Sequence, residues 1–393
     1  MALPSFVQRA LTLLNEAGYE AYVVGGCVRD SWMGLSPSDW DITTSALPTE
    51  IATVFGAYRM IHTGIQHGTV TVIIENTPLE ITTYRLDGTY TDGRHPSAVT
   101  FTSCLQEDLK RRDFTINAMA YHPREGLVDP FGGQEDIQRK IIRCVGVPSK
   151  RFGEDALRIL RALRFAAVLG FDIERETASA LHSLSDTLCQ VSVERIAAEF
   201  KRLICGAAAD TVCREYNDVL AVFLPEIRGC ATYELVSLVP PIPRTRIAAL
   251  FCVAGMTAQE TQSALRRLRL DTQTIREVTC LLSFSLKGIY TEDAYLLRLL
   301  NHMGPELVFD YFAIHESEDH TVSRARQLIE EKACYAISML AVKGDDLLFG
   351  GVLPGPAIGA MLQELLYAVM DGRCPNTKEA LLDYVKTTKK PVL

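Results

Sequence analysis

Asp39 and Asp41, with only Trp40 between them, form the pair whose spacing says most about chemistry. Read as part of a strand, they point to the same side, because successive side chains alternate between faces. Two carboxylates held side by side repel unless a cation lies between them, and hard oxygen ligands suit Mg2+. Upstream, Gly25-Gly26 follows the hydrophobic run Ala21-Tyr22-Val23-Val24 and opens a segment, through Arg29 and Asp30, that can start a helix. Backbone N–H groups at such a turn can receive a phosphate. Together the two features point to a metal-dependent site for a nucleoside triphosphate. An Asp-x-Asp triplet alone is more often a solvated turn.

A third carboxylate follows from strand alternation. Gly68–Ile74 and Leu79–Arg85 are β-branched runs joined by Glu75-Asn76-Thr77-Pro78, which predicts a hairpin. In the second strand Leu79, Ile81 and Thr83 share one face, and Glu80, Thr82 and Tyr84 the other. Glu80 then stands on a polar face that can also carry Asp39 and Asp41. An exposed strand glutamate is the plain alternative.

Two further clusters have the residue types to hold a nucleotide. Between Arg111 and Ala120, Asp113 and Asn117 are four apart and share a face if the segment is helical. Their mixture of donor and acceptor suits ribose hydroxyls, and Arg111 or Arg112 can fork onto phosphates. A surface ion-pair network is the alternative. Further on, Asp155 and Arg158 in Glu154-Asp-Ala-Leu-Arg158 are three apart, neighbours on one helical face. Cytosine and adenine each present an exocyclic amino donor beside a ring-nitrogen acceptor, whereas uracil and guanine reverse that order. An acceptor–donor pair such as Asp155 and Arg158 accepts the first two bases and rejects the others through mismatched polar groups. A plain intrahelical salt bridge competes with that reading.

These residues need a scaffold, and composition bounds it. At 393 residues the chain is long enough for two or more domains, and 48% hydrophobic with 22% charged residues is the balance of a soluble globular protein. Residues 1–145 mix strand and helix signals, and Gly146-Val147-Pro148-Ser149 marks a join to a helical remainder. The helices expected there run from Glu154 through Val168 to a stop at Gly170, and from Ser192 to Gly206 with Ile196, Phe200 and Leu203 on the apolar side. Pro240-Pro241-Ile242-Pro243 breaks the series, and Gly355-Pro356 opens a last strongly apolar helix that ends at Gly372. The net charge of −8 argues against a generic nucleic-acid binder. Residues 139–164, however, carry eight Lys and Arg against Glu154 and Asp155 alone, and Lys110-Arg111-Arg112 adds a second basic cluster. Such concentration fits a phosphate-bearing partner in one cleft. Eleven scattered cysteines without a C-x-x-C pair read as reduced thiols of a cytoplasmic protein. There is no bilayer-spanning run and no leader pattern. Nothing in the sequence sets an oligomeric state.

In order and spacing, Gly25-Gly26 with Arg29-Asp30, Asp39-Trp40-Asp41, Arg111–Ala120 and Glu154-Asp155 with Arg158 resemble the motifs of the class II tRNA nucleotidyltransferases. That family contains the CCA-adding enzymes and bacterial poly(A) polymerases. Tyr84-Arg85 and Asp92-Gly93-Arg94-His95-Pro96 look like its strand and flexible loop. The likeness is specific over residues 20–205 and thinner beyond, although Gly355-Pro356 to Asn376 and Leu381 looks like the tail helices of bacterial CCA-adding enzymes. It implies an α+β fold, with a polymerase-β-like head of mixed sheet and helices at residues 1–145. An elongated all-α part follows, with a base-reading neck at 146–206, a body at 207–290 and a tRNA-binding tail at 291–393. The resemblance makes Asp39, Asp41 and Glu80 the catalytic carboxylates, with Asp39 and Asp41 the direct ligands of two Mg2+ ions. Gly25, Gly26 and Arg29 would hold the triphosphate, and Arg111, Asp113 and Asn117 the ribose and triphosphate. Asp155 and Arg158 would be an amino-acid template for the incoming base, with Arg161 and Arg164 in the same nucleotide site. The implied reaction is template-independent addition of CCA to the 3′ end of tRNA from CTP and ATP, the helical arm gripping acceptor stem and elbow.

Other activities are weighed by their own marks. The intact look of residues 85–101 disfavours addition of CC alone, and the lack of a long basic extension beyond Lys386, Lys389 and Lys390 disfavours a poly(A) polymerase. An A-adding enzyme keeps both the loop and the base-reading pair and stays open. A non-catalytic RNA-binding protein would most simply have lost one of the three carboxylates. A nucleotidyltransferase acting on small molecules would need neither the arm nor the Asp155/Arg158 pair. No His-Asp dipeptide occurs, so no appended phosphohydrolase is expected, and His67 and His95 read as local hydrogen-bonding residues.

Overall fold

The β-branched runs of the first 130 residues form short strands in the computed structural model of the chain, which describes residues 1–61, 64–87, 99–285, 291–349 and 355–388. In chain order they are β1 (Ala21–Val24), β2 (Asp41–Thr44), β3 (Arg59–Ile61), β4 (Thr69–Ile74), β5 (Thr77–Thr83), β6 (Arg85–Asp87), β7 (Val99–Phe101), β8 (Ala120–His122) and β9 (Gly126–Val128). β6 and β7 make a separate ribbon. The other seven align as one sheet in the order β3-β4-β5-β2-β1-β8-β9. Neighbours in this sheet run antiparallel except β2 and β5, whose parallel register sets Asp41 beside Glu80, Ile42 beside Ile81 and Thr43 beside Thr82.

The predicted hairpin is β4–β5. It closes on two residues, Glu75 and Asn76, both left-handed at φ 50° and 61°, as a two-residue turn matched to strand twist requires. Alternation in β5 runs as read: Leu79, Ile81 and Thr83 are buried while Glu80 is exposed. Val23, Ile42, Ile81 and Val70 are register partners across four strands, each at most 1% exposed. At about 1.5–3 kcal/mol for each fully buried aliphatic side chain, this row is a main anchor of the sheet.

The helices of this part are α1 (Ser5–Glu16), α2 (Gly26–Trp32), α3 (Pro48–Val54), α4 (Leu105–Lys110), α5 (Gly133–Gln138), α6 (Pro148–Glu154), α7 (Leu157–Leu169), α8 (Arg175–Ser183) and α9 (Val193–Ile204). α1 and α3 pack on β1, β4 and β5. On the opposite face Tyr22, Val24 and Ala120 pack with Tyr84 and with Leu109 of α4. Asp41 and Glu80 stay exposed on that side.

Two expectations need correction. Strand structure continues past residue 145, because β10 (Ile141–Ile142) pairs in parallel with β11 (Asp172–Ile173). The single helix expected from Glu154 is two helices, α6 and α7, with an extended residue between them: Asp155 lies at φ −145°, ψ 106°. Its carboxylate accepts the Leu157 N–H at 3.0 Å, so the aspartate starts the next turn instead of continuing the last one. α7 then ends at Gly170, φ 64°, as predicted. Beyond α9, Gly206 presses so closely on α7 that a Cβ there would lie 2.4 Å from the Ala167 carbonyl carbon.

The chain divides into two compact units, Met1–Ala231 and Thr232–Leu393. The second is helical throughout its described residues. Its helix Pro243–Val253 begins at the proline break read from the sequence, and Pro356–Met370 begins after Gly355 and is followed by Gly372 at φ 69°. Bidentate bonds of 2.8–2.9 Å from Arg298 to Asp371 tie Glu292–Met303 to the end of Pro356–Met370. No helix among the described residues is long and apolar enough to cross a membrane.

Candidate active site

β2 begins at Asp41, and its parallel pairing with β5 makes Glu80 the direct partner of that carboxylate. Asp39 lies two residues ahead of the strand, so the extended run expected through both aspartates begins only at the second. The two charges still meet. Asp41 keeps surface access, yet the surrounding protein desolvates its carboxyl and pushes it up to about 6. Glu80 adds to the rise, Arg112 opposes it, and Asp39 contributes a further push.

The phosphate-side elements converge on the same place. Gly25, at φ 85°, is the residue before α2. A Cβ there would come within 3.2 Å of Arg112 Nη1, so glycine is needed both for the backbone angle and for the guanidinium resting on the turn. One turn into α2, Arg29 is buried; its Nη1 donates to Asn117 Oδ1 at 2.6 Å and its Nε to Asp30 Oδ1 at 2.8 Å.

Asp113 and Asn117 do not share a helix, as the sequence suggested. Asn117 ends a short 3-10 turn, Thr115–Asn117, and Asp113 precedes it. They are nonetheless joined, with Asn117 Nδ2 3.4 Å from Asp113 Oδ1. That oxygen also accepts the Phe114 N–H at 2.9 Å, while Oδ2 accepts Arg161 Nε and Nη2 at 2.8 and 2.5 Å. Burial alone would raise this carboxyl, but Arg161 outweighs it and the group is lowered to about 2. Arg161 and Arg164 extend the network to Glu199 of α9, at 3.7 and 2.6 Å. Phe165 lies under three guanidiniums, those of Arg29, Arg161 and Arg164, at 5.2, 5.6 and 3.9 Å.

Asp155 and Arg158 are not salt-bridged to each other. Arg195 of α9 donates to Asp155 Oδ2 at 2.8 Å, and Arg158 Nη1 donates to Glu154 Oε2 at 2.6 Å. Arg151 Nη1 shares that same glutamate oxygen at 2.8 Å. Both members of the proposed base-reading pair are therefore held by other residues.

Known proteins resemble this chain over nearly its whole length. Residues 21–143 match the family model of the Poly A polymerase head domain, 170–229 that of the probable RNA and SrmB-binding site of polymerase A, and 244–385 that of tRNA nucleotidyltransferase domain 2. The CCA-adding enzyme of Leuconostoc mesenteroides is 36% identical over 96% of this chain and 95% of its own length. The CCA-adding enzyme of Streptococcus gordonii is 36% identical over 98% and 99%. The chain belongs to the CCA-adding enzyme family. Among solved structures, the CCA-adding enzyme of Bacillus stearothermophilus in complex with CTP superposes with a TM-score of 0.83 at 31% identity, covering 98% of each chain. The Thermotoga maritima CCA-adding enzyme complexed with tRNA shares the fold at a TM-score of 0.66 and 20% identity, over 99% of this chain and 97% of that one.

As in other nucleotidyltransferases, catalysis in the CCA-adding enzyme family depends on a divalent metal. The donor set here fits such an ion: Asp39, Asp41 and Glu80 are hard oxygen donors, and the Asp41 carboxyl is raised first by burial and then by Glu80. Among the described residues, no three His, Cys, Asp or Glu side chains are grouped so as to hold a metal ion by themselves. The family's flexible loop, expected around Asp92–Pro96, lies outside the described residues. Sequence reading passed over Asp108, Arg195 and Glu199 and gave Glu154 no role. The signal for Asp108 was its position three and four residues before Arg111 and Arg112; that for Arg195 and Glu199 was their spacing of four on one helix.

Proposed function

We propose that this chain adds CCA to the 3′ end of tRNA from CTP and ATP, without a nucleic-acid template and with release of pyrophosphate. The observation that carries the reading is the near-complete match to CCA-adding enzymes at 36% identity, in a chain that retains Asp41 opposite Glu80. Asp39 and Asp41 hold Mg2+, two ions in this reading, supplying activation of the RNA 3′-hydroxyl and charge neutralisation at the α-phosphate. Glu80 completes the carboxylate set. Gly25 and Gly26 bring backbone close to the triphosphate, and Arg29 and Arg111 supply positive charge to it. Asp113 has four protein donors, so its part is to order Asn117 and Arg161 about the ribose, with Arg164 closing the same network.

Base choice falls to Asp155 and Arg158. The carboxylate accepts the exocyclic amino group of C or A, and the guanidinium donates to the adjacent ring nitrogen. We keep the division into head 1–145, neck 146–206, body 207–290 and tail 291–393, the last three holding the acceptor stem and elbow by A-form shape and phosphates. Eleven free thiols accord with a cytoplasmic setting.

The test uses tRNA transcripts ending before CCA, after C and after CC, each with Mg2+ and CTP, ATP or both, with products sized to the nucleotide. Growth that stops at CCA supports the proposal. A single A added only to the CC-ending transcript makes this an A-adding enzyme, long adenylate tails make it a poly(A) polymerase, and no extension revives a binding protein.

A further inference from the structure

Asp108 is a fully buried carboxylate that touches both the catalytic sheet and the basic cluster beside it. It is 0% exposed. Its Oδ1 accepts Arg111 Nε at 2.9 Å, with Nη2 of the same guanidinium 2.8 Å away, and also accepts the Arg85 N–H at 3.3 Å. Its Oδ2 accepts Thr43 Oγ1 and Arg112 Nη2, at 3.2 and 3.4 Å. Thr43 is two residues along β2 from Asp41, on the same face. Arg85 follows β5, the strand that carries Glu80.

Arg112 has few other holds. Its Nε is buried and finds no hydrogen-bond partner among the described residues. Its Nη1 rests against the Gly25 turn, and its charge opposes the rise of Asp41. A buried carboxylate is costly unless paired. Here burial alone would raise the Asp108 carboxyl, but Arg111 and then Arg112 outweigh it and hold it below the usual range. The anion is thus maintained by the two cations it restrains.

We propose that Asp108 is a positioning residue for nucleotide binding: it clamps Arg111 toward the triphosphate and holds Arg112 against the Gly25 turn, while its bond from Thr43 keeps the clamp in register with the catalytic strands. This rests on the nucleotidyltransferase reading. It makes the clamp common to CTP and ATP, because it acts on the part of the nucleotide the two share.

The test compares Asp108→Asn and Asp108→Glu with the parent enzyme in KM and kcat for CTP and for ATP, nucleotide preference, tRNA affinity and melting temperature. Asp108→Asn is expected to raise KM for both nucleotides by about tenfold or more, the worth of a charge-assisted bond. Preference for C and A over U and G and tRNA affinity should be unchanged, and Asp108→Glu should recover part of the loss. Arg112→Lys should add little in the Asp108→Asn background, since the clamp is already gone. Unchanged KM, a change confined to one nucleotide, or fully additive losses would overturn the assignment. A fall in kcat alone that tracks the melting temperature would reduce Asp108 to a structural residue. Equilibrium binding of CTP and ATP to the same variants keeps the question separate from the activity itself: a parent enzyme that extended no tRNA would remove the functional reading, while weaker binding by Asp108→Asn would still support the clamp.

Discussion

Asp41 and Glu80 are direct neighbours across the parallel seam of an otherwise antiparallel sheet. An antiparallel connection would have joined their strands by a short turn; the parallel one brings together residues far apart in sequence. β3, β4 and the hairpin turn lie between them in the chain, and only the register brings the carboxylates into line.

Asp41→Asn and Glu80→Gln should each lower turnover by about a hundredfold or more, since each removes charge from the reacting centre. Binding of tRNA in a gel-shift assay should stay within about twofold of the parent, because the carboxylates are not among the cations that hold phosphate. Parental turnover in either variant would take that residue out of the active site.

Gly25→Ala and Gly26→Ala should separate clearly. A side chain at Gly25 meets both a left-handed backbone and Arg112 Nη1 at 3.2 Å, whereas one at Gly26 meets only Arg29 Nη2 at 3.6 Å. The first should cost about 1 kcal/mol of stability or more together with most nucleotide affinity, and the second far less. Melting curves and CTP titrations of the two proteins decide this; equal behaviour would mean that the turn is not pressed against its arginine.

Replacing both Asp155 and Arg158 by alanine should let UTP and GTP compete with CTP and ATP. Glu154→Gln should produce a milder form of the same defect, because Glu154 anchors Arg158 at 2.6 Å. Competition assays with all four triphosphates give the answer, and unchanged preference in the double variant would end the base-reading account.

Asp113 supplies a pH prediction. Its folded-state value is depressed to about 2 from 3.8, so its contribution, on the order of 2 kcal/mol, is present above the unfolded value and is lost as pH falls through the folded one. The stability gap between the parent and Asp113→Asn should be full at pH 5 and narrow between about pH 4 and pH 2. Denaturant titrations along that range measure it; a gap independent of pH would mean that the carboxylate is not held as an anion by Arg161.

Much of the fold was legible where its signals are local. The β4–β5 hairpin, the faces of β5 and the stops at Gly170 and Gly372 follow from alternation, turn chemistry and glycine. What escaped was set at long range. Apolar periodicity runs unbroken from Glu154 into α7, and Gly153, two residues before Asp155, lies ahead of the helix read from that periodicity; the contact from Arg195, forty residues on, helps to hold the interruption open. Asp113 with Arg161, and Arg29 with Asn117, are likewise separated by 48 and 88 residues. Spacing pointed to these side chains as a group, but which of them pair is decided by the packing of α2 on the Thr115–Asn117 turn and of α7 on α9.

The break at Asp155 has a consequence for how a protein can serve as a template. Had both residues stood on one helix, their separation would be set by helical pitch, and a single size of base would suit them. Instead Asp155 is itself the extended residue that follows α6, and Arg158 stands in the first turn of α7. In the proposed role, the two members of the pair are therefore braced independently, Arg195 holding one and Glu154 the other, and the gap between them is set by two separate contacts instead of by one helix.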